Sequence, residues 1–259
     1  MVDEKLLNQV LKYYQEDHNI ANICSFLIMR ETALLNKGER IRYNEIRNIR
    51  IFNRKNFDFN IKARILKNKV IYNIYYSLAT YKNGVPLFNY LGYTDEEKAF
   101  IKLDWSQNYW KTITDYDWLI DIDSPDLKSL GHCAQDTYKI CLDLDKKGIV
   151  YSVRFSGCGF HIITRYTQIP KYKDYSFNPF DKKNIYIHCN KLNKKYHDKI
   201  SEMVDYSIND ARRIIKVPNT IVYNPIKTNE TLLICKIINR DDLKNFDYKR
   251  YIYDFTKLA

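Results

Sequence analysis

The sequence predicts an α/β fold of the α+β kind, in which helices decorate a mixed, largely antiparallel sheet. Apolar residues alternate with polar ones over 117–123 and again over 149–155, which is the two-residue period of a strand. Apolar residues at spacings of three and four predict helices over 3–16 and 19–29, and a third helix between Pro125 and Gly148. Strands and helices are therefore interspersed along the chain.

The remaining elements are predicted from local signals. Residues 30–35 and 40–43 flank an Asn-Lys-Gly turn and predict a hairpin, and 70–78 is a β-rich run. A capping box starting at Thr94 predicts a helix to about Lys102. In the second half we predict a strand over 160–164, a helix after Asp181, short strands at 204–206 and 231–238, and a helical turn over 212–216 that Pro218 ends.

Composition narrows the class of protein. A chain of 259 residues with 45% hydrophobic and 15% aromatic content can form a sizeable core, which excludes a disordered protein. We predict one domain over 1–259, with a basic part at 1–110 and a part at 111–259 that carries the acidic site. No apolar run approaches 18 residues, no signal peptide is present and the six cysteines form no CxxC, so we expect an intracellular protein (cytoplasm or nucleoid, or a eukaryotic nucleus) without a membrane partner. The net charge of +11 favours a polyanion as partner.

Two carboxylates mark the candidate chemistry. Asp121 and Asp123 leave the same face of the predicted 117–123 strand, where they repel each other unless a cation lies between them. Mg²⁺ typically takes one or two carboxylates together with substrate phosphates. An isolated Asp-x-Asp at a strand end is more often merely solvated, so its weight depends on the residues farther along the chain. Asp205, in the predicted strand at 204–206, is the candidate third carboxylate.

A glycine-flanked turn lies between two predicted strands, in the run Arg154-Phe155-Ser156-Gly157-Cys158-Gly159-Phe160-His161. Its glycines let the backbone approach a ligand closely, so Ser156 and His161 can offer a hydroxyl and an imidazole to phosphate oxygens. A serine hydrolase is disfavoured because no G-x-S-x-G elbow surrounds the serine. A basic segment with Arg212, Arg213 and Lys216 lies closer to the C-terminus.

In this order, the paired acids, the Ser-to-His turn, the third acid and the basic segment ending in Pro218 resemble the archaeo-eukaryotic primase superfamily. Three further strings resemble the primase catalytic (small) subunit in particular: Arg30-Glu31-x-Ala33, Ile41-Arg42-Tyr43 and Lys227-Thr228. The resemblance runs from about Arg30 to Lys227. It implies an RRM-like catalytic core and the synthesis of primers on single-stranded DNA from NTPs or dNTPs.

The resemblance also implies roles for individual residues. Two Mg²⁺ or Mn²⁺ ions would be held by Asp121, Asp123 and Asp205. The nucleotide would be bound by Ser156, Gly157, His161, Arg42, Arg154, Arg213 and Lys216. A primase large subunit or a replicative helicase would be the protein partner.

The chain departs from the family pattern at three features. Only three possible ligands, His132, Cys133 and Cys141, lie where the family often has a zinc knuckle. Because a structural zinc site has four ligands, we predict no zinc. His188, Cys189 and His197 could also form a metal cluster, but packing on a helix surface is the better explanation of their spacing. Cys158 stands where the family has a basic residue, a loss for which Arg154 can compensate. Val222-Tyr223 stands where the family often has a histidine.

The segment 30–69 is the most basic part of the chain, with 12 Lys and Arg residues against 4 Asp and Glu. Its charges alternate with aromatic residues, which favours a template-binding face over a merely solvated surface. The candidate DNA-binding residues are Arg47, Arg50, Arg54, Lys55, Arg64 and Lys67.

Three alternatives remain open. A primer-dependent repair polymerase of the same superfamily would use the same site residues. A metal-dependent nuclease would need the acids but not the Ser156–His161 turn. A non-catalytic nucleic-acid binder would need only the positive charge.

Overall fold

The structure, a computed structural model, describes residues 4–27, 30–35, 49–50, 73–81, 113–172, 182–210, 213–223, 227 and 231–253. Within these ranges the α-helices are α1 (Glu4–Gln15), α2 (Asp17–Leu27), α3 (Leu130–Lys146) and α4 (Lys182–Lys199). The strands are β1 (Glu31–Leu35), β2 (Ile49–Arg50), β3 (Asn73–Ser77), β4 (Ala79–Tyr81), β5 (Ile113–Asp123), β6 (Ser152–Phe155), β7 (Gly159–Arg165), β8 (Val204–Asp205), β9 (Ile214–Lys216), β10 (Ile221–Val222), β11 (Leu233–Ile234) and β12 (Lys236–Ile238). Short 3-10 segments occupy Tyr166–Gln168, Pro170–Tyr172, Arg240–Asn245 and Tyr248–Tyr251.

The predicted α+β class is confirmed, and every strand pair in the described ranges is antiparallel. The larger sheet has the order β12–β6–β7–β5–β4, and β8 also pairs with β5. One edge of β5 pairs with β7 from Asp117 to Asp123. The other edge is shared by two short strands, β4 near Tyr116 and β8 at Asp121 and Ile122.

A second sheet, β2–β1–β3–β9, joins the first through a bend at Leu78, between β3 and β4. The amide of Asp117 donates to the carbonyl of Leu78 at 3.0 Å. Arg30 holds this bend from the side, since its guanidinium donates to the carbonyls of Ser77 and Leu78 and to Asp117 Oδ2 at 2.7 Å. Residues from both halves of the sequence therefore meet in the second sheet, where β3 pairs with β9.

The core includes the large aromatic side chains of the sheets, among them Trp118, Tyr76, Tyr116 and Phe155. Helix α3 packs on the larger sheet, where the Cys133 thiol contacts the Ile122 carbonyl at 3.4 Å. The C-terminal 3-10 segments add Phe246 and Tyr251 against Phe155. None of the described helices is both long enough and apolar enough to cross a membrane.

Two predicted elements are wrong. The third helix does not begin at Pro125 but at Leu130, because Ser124 and Asp126 form a turn in which Asp126 Oδ1 accepts from the Ser129 amide at 2.8 Å. The helical turn expected over 212–216 is instead strand β9, in which the β-branched Ile214 and Ile215 pair with β3.

The other predicted elements agree with the structure where it describes them, with two adjustments. The predicted strand at 231–238 is divided at Cys235 into β11 and β12. The strand predicted over 149–155 begins at Ser152, and the next strand extends over Gly159–Arg165. The turn at 36–38, the strand at 40–43 and the Thr94 helix lie outside the described residues.

Candidate active site

A row of polar side chains crosses four neighbouring strands of the larger sheet. Arg154 on β6 is directly opposite His161 on β7, His161 is opposite Asp121 on β5, and Asp121 is opposite Asp205 on β8. Directly paired residues of antiparallel strands project from the same face. The register therefore brings together residues that are distant in sequence but were all predicted as site residues.

Asp121 lies at the centre of this row. His161 Nε2 is 3.5 Å from Asp121 Oδ1, which is too long for a hydrogen bond, and that oxygen is buried without a hydrogen-bond partner among the described residues. Burial raises the pKa of Asp121 to about 7, and the nearby Asp123 and Asp205 carboxylates contribute to the rise. Asp121 therefore exchanges a proton near neutral pH, and a cation bound beside it would favour the ionised form.

His161 is neutral at pH 7. Burial, together with the positive charges of Lys216 and Arg154, holds the pKa of His161 well below its usual value. Its Nδ1 atom is also buried without a hydrogen-bond partner in the described part of the chain. A buried polar atom without a partner is costly, which makes this atom a candidate ligand contact.

The other two carboxylates are held by different neighbours. Asp123 Oδ2 accepts from Lys227 Nζ at 3.0 Å, and Asp205 Oδ1 accepts from both the amide and the hydroxyl of Ser207 at 2.9 Å. Within the described ranges, no three His, Cys, Asp or Glu side chains converge as a metal-holding group. The predicted acids therefore lie on the neighbouring strands β5 and β8, but in the described ranges they do not form a group arranged to hold a metal ion.

Two buried asparagines that sequence reasoning missed bind the backbone of β5 at Leu119, and one of them also contacts the backbone of Asp205. Among the described residues no strand pairs with the edge of β5 between β4 and β8. The Asn209 side chain binds there instead, accepting from the Leu119 amide at 3.1 Å and donating to the Leu119 carbonyl at 3.0 Å. Asn193 on α4 donates to the carbonyls of Leu119 and Asp205 and accepts from the Trp118 indole. No sequence motif marks these asparagines, since their role depends on a gap between strands.

The glycine-flanked turn takes the tight form that its sequence suggests. Gly157 has φ of +89°, and a Cβ there would lie 2.6 Å from Val222. A Cβ at Gly159 would lie 2.1 Å from the Ile122 carbonyl oxygen, so β7 can approach β5 closely only with glycine at this position. The Ser156 hydroxyl is fully buried, with no hydrogen-bond partner among the described residues.

Arg154 is more enclosed than its predicted role in nucleotide binding suggests. It is 6% exposed, its guanidinium lies 5.3 Å from the Phe26 ring centroid and 5.5 Å from that of Tyr76, and it donates to the Tyr76 hydroxyl. Its Nε atom has no hydrogen-bond partner in the described part of the chain. The cation is therefore fixed at the end of the row by aromatic packing.

Lys216 and Arg213 supply positive charge at the same site. Burial opposes the charge of Lys216, but Cys158, Tyr75 and Asp123 around it raise its pKa above the usual range, so the ammonium group stays charged. Arg213 donates from Nε to the Ile208 carbonyl at 2.7 Å and lies 3.6 Å from Asp210. Both cations favour ionisation of Asp121.

A cleft of about 390 Å³ opens beside two of the acids. It is lined by Asp123, Ser124, Pro125, Glu202, Met203, Val204, Asp205 and Lys227. Glu202 is exposed at its rim and was not among the predicted site residues. The cleft gives a ligand access to the carboxylate end of the row.

Several predicted residues cannot be placed. Outside the described residues lie Arg42, Arg47, Arg54, Lys55, Arg64, Lys67 and Arg212. Arg50 is described only by its position in β2.

The histidines and cysteines considered for zinc occupy separate positions. Cys133 and Cys141 are buried in the core, and His132 lies 3.6 Å from Asp136. In the other group, Cys189 is also buried. His188 packs edge-on to Tyr172, and the His197 ring bonds to the Val204 carbonyl. The expectation that zinc is absent stays a prediction.

Comparison with known proteins gives similarity at the level of fold. No protein-family model matches the chain, and no curated protein matches it. Among solved structures, the chain is similar to the polymerase domain from Mycobacterium tuberculosis ligase D in complex with DNA, with a TM-score of 0.53 and 10% sequence identity, over 97% of this chain and 86% of that one. At this identity the similarity concerns the fold alone: the chain is folded like that domain.

Proposed function

We propose that this chain is a DNA-dependent nucleotidyltransferase of the primase-polymerase type, and that 1–259 acts as one catalytic domain. The observation that carries the proposal is the row Arg154–His161–Asp121–Asp205, which the sheet register places on one face. It joins cations and neutral donors at one end to carboxylates at the other. Such an arrangement suits a substrate that has both phosphates and a metal-bound hydroxyl.

We propose that Asp121, Asp123 and Asp205 hold Mg²⁺ or Mn²⁺. Carboxylate oxygens are the donors that these hard ions prefer, and Asp121 Oδ1 is already buried without a hydrogen-bond partner in the described ranges. When bound, such ions lower the pKa of a primer 3′-hydroxyl and offset the charge of the leaving pyrophosphate. Asp123 and Asp205 can each offer a metal the carboxylate oxygen that is not in these contacts, and Asp123 Oδ2 could also bind if it released Lys227.

The phosphate end of the row supports nucleotide binding. The Ser156 hydroxyl and His161 Nδ1 are buried without hydrogen-bond partners among the described residues, and Lys216 lies close enough to His161 to lower its pKa. We propose that all three, together with Gly157, Arg213 and Arg42, contact the triphosphate. Arg154 would act by fixing the positive potential behind His161. If Lys227 is released from Asp123, its ammonium group can contact a phosphate of the nucleotide.

These donors also bear on the alternatives. A metal-dependent nuclease would not need the buried Ser156 hydroxyl and His161 Nδ1, and a simple nucleic-acid binder would not need the buried Asp121 Oδ1, none of which has a hydrogen-bond partner among the described residues. The primer-dependent repair polymerase has specific support, since the solved neighbour is named as a polymerase domain bound to DNA. It remains the second candidate.

The proposal is tested by incubating the chain with a single-stranded template, Mg²⁺ or Mn²⁺ and labelled NTPs or dNTPs, with and without a primer. Labelled product without primer supports primer synthesis, and product only with primer supports the repair polymerase. Asp121→Ala, Asp123→Ala and Asp205→Ala should each abolish synthesis, whereas Asp241→Ala, at an exposed acid paired with Lys244, should retain it. Template degradation without any nucleotide incorporation would instead identify a nuclease.

A further inference from the structure

The outer face of helix α4 carries an unbalanced positive charge. Its exposed cations are Lys191, Lys194, Lys195 and Lys199, and Asp198 is the single acid in the helix. The inner face is anchored to the larger sheet by Asn193. The lysines are therefore held on a fixed element.

Two of these cations lie near Lys171 of the 3-10 segment Pro170–Tyr172, and none of the three has a neutralising acid among the described residues. Lys171 Nζ lies 5.5 Å from the centroid of the Tyr172 ring, and that ring packs edge-on against His188, 5.5 Å away. Burial lowers the pKa of His188, and the nearby charges of Lys171, Lys191 and Lys195 lower it further. In the described ranges no carboxylate forms an ion pair with any of the three lysines. Like charges held together repel, and a polyanion relieves that repulsion.

Helix α3 provides the contrast on the same molecule. Lys139 lies 2.8 Å from Asp136, and Lys147 and Arg240 are each paired with a carboxylate of α3. These three basic residues are each matched by an acid of α3. The unmatched charge on α4 is therefore not a general property of this basic chain.

An exposed aromatic ring connects the α4 surface to the candidate active site. Tyr206 is next to Asp205 in the chain and is 43% exposed. Lys194 Nζ, which also pairs with Asp198 Oδ1 at 2.6 Å, lies 4.9 Å from the centroid of its ring, and the His197 ring centroid is 4.9 Å from it. An exposed ring beside lysines is the combination that binds single-stranded nucleic acid, by base stacking together with phosphate contacts.

We infer that the outer face of α4, from Tyr206 to Lys171, binds the backbone of a single nucleic-acid strand that leads to Asp205. This inference rests on the proposed function and adds a surface to it that is separate from 30–69. Tyr206 stacks on a base next to the acids, and Lys191, Lys195 and Lys171 bind successive phosphates. The helical rise between His197 and His188 gives the strand a path of about 14 Å along the helix.

The test measures binding of a single-stranded oligonucleotide over a range of salt, in EDTA and without nucleotide. The variant carries Lys171→Gln, Lys191→Gln and Lys195→Gln. Loss of three phosphate contacts should flatten the log–log salt dependence by about 2, at about 0.7 for each contact, which corresponds to about a hundredfold weaker binding at 0.1 M salt. Tyr206→Ala should weaken binding about tenfold at every salt concentration, while Tyr206→Phe should bind normally.

The matched control removes three exposed lysines elsewhere, through Lys146→Gln, Lys244→Gln and Lys249→Gln. It loses the same net charge and should keep the salt slope of the unmodified chain. Equal effects of the two triple variants, or an unchanged slope in the α4 variant, would overturn the inference. Because catalysis is not measured, a chain that binds through α4 but incorporates no nucleotide would refute the proposed function alone.

Discussion

The raised pKa of Asp121 makes the metal-free protein pH-sensitive in a predictable direction. A carboxyl group has a pKa of about 3.9 in the unfolded chain, and burial raises that of Asp121 to about 7 in the folded state. The folded state therefore holds a proton that the unfolded state has lost, and this group makes stability fall as pH rises from about 4 to about 7. At 1.36 kcal/mol for each pKa unit, the ionised group costs up to about 4 kcal/mol above pH 7.

Asp121→Asn removes this cost because an amide of the same shape does not ionise. In EDTA, the variant should resemble the unmodified chain at pH 4 and gain up to about 4 kcal/mol in the free energy of unfolding at pH 8, as measured by urea denaturation at both pH values. Asp241→Asn, at an exposed acid whose pKa is lowered by Lys244, should show no such gain. Equal changes at pH 4 and pH 8 would refute the account of Asp121.

Adding metal should reverse the order of stability. Mn²⁺ at pH 8 should raise the melting temperature of the unmodified chain, because an ion bound only by the folded state stabilises it. It should do so much less for Asp121→Asn, which lacks the central carboxylate. An equal shift in both proteins would place the metal elsewhere.

The remaining predictions concern the scaffold of the site. Gly159→Ala should lower the free energy of unfolding in urea by about 3 kcal/mol or more, because its Cβ would lie 2.1 Å from the Ile122 carbonyl oxygen. The control Gly131→Ala, which has open space around its Cβ, should be neutral or stabilising. Equal effects of the two changes would contradict the close approach of β7 to β5. Asn209→Ala should cost about 2 kcal/mol and weaken Mn²⁺ binding measured by titration, because the Leu119 amide, two residues before Asp121, loses its side-chain partner and the Leu119 carbonyl keeps only that from Asn193. Unchanged Mn²⁺ affinity would limit Asn209 to a structural role.

The sequence predicted those parts of the fold that depend on local periodicity. The alternation of apolar and polar residues around Trp118 predicted β5, and the helical spacing of Cys189 and Tyr196 predicted α4. Both predictions hold because the residues on the buried face of a strand or helix recur with the period of that element. It was wrong at Pro125, where a serine and a proline that resemble a helix start belong to a turn. It was also wrong at Ile214, where pairing with β3 overrides the local helical spacing.

The site was predicted as a set of residues but not as a geometry. Order along the chain singled out Asp121, His161 and Asp205, and strand register then placed them in one row. The contact between Asp123 and Lys227 depends on side chains that are far apart in sequence. So does the place of Asn209 in the gap beside β5. No pattern of residue types encodes such contacts, because they exist only after the strands have paired.

The most direct test of the proposed nucleotidyl transfer is a single-turnover reaction on a primed template, with Mn²⁺ and one labelled dNTP. The account predicts a primer longer by one nucleotide and an equal amount of pyrophosphate, lost in Asp121→Asn. His161→Ala should need about ten- to a hundredfold more nucleotide, the effect expected for one lost hydrogen bond to a charged phosphate. A shortened primer, or extension that Asp121→Asn leaves unchanged, would contradict the assignment of the row as the catalytic centre.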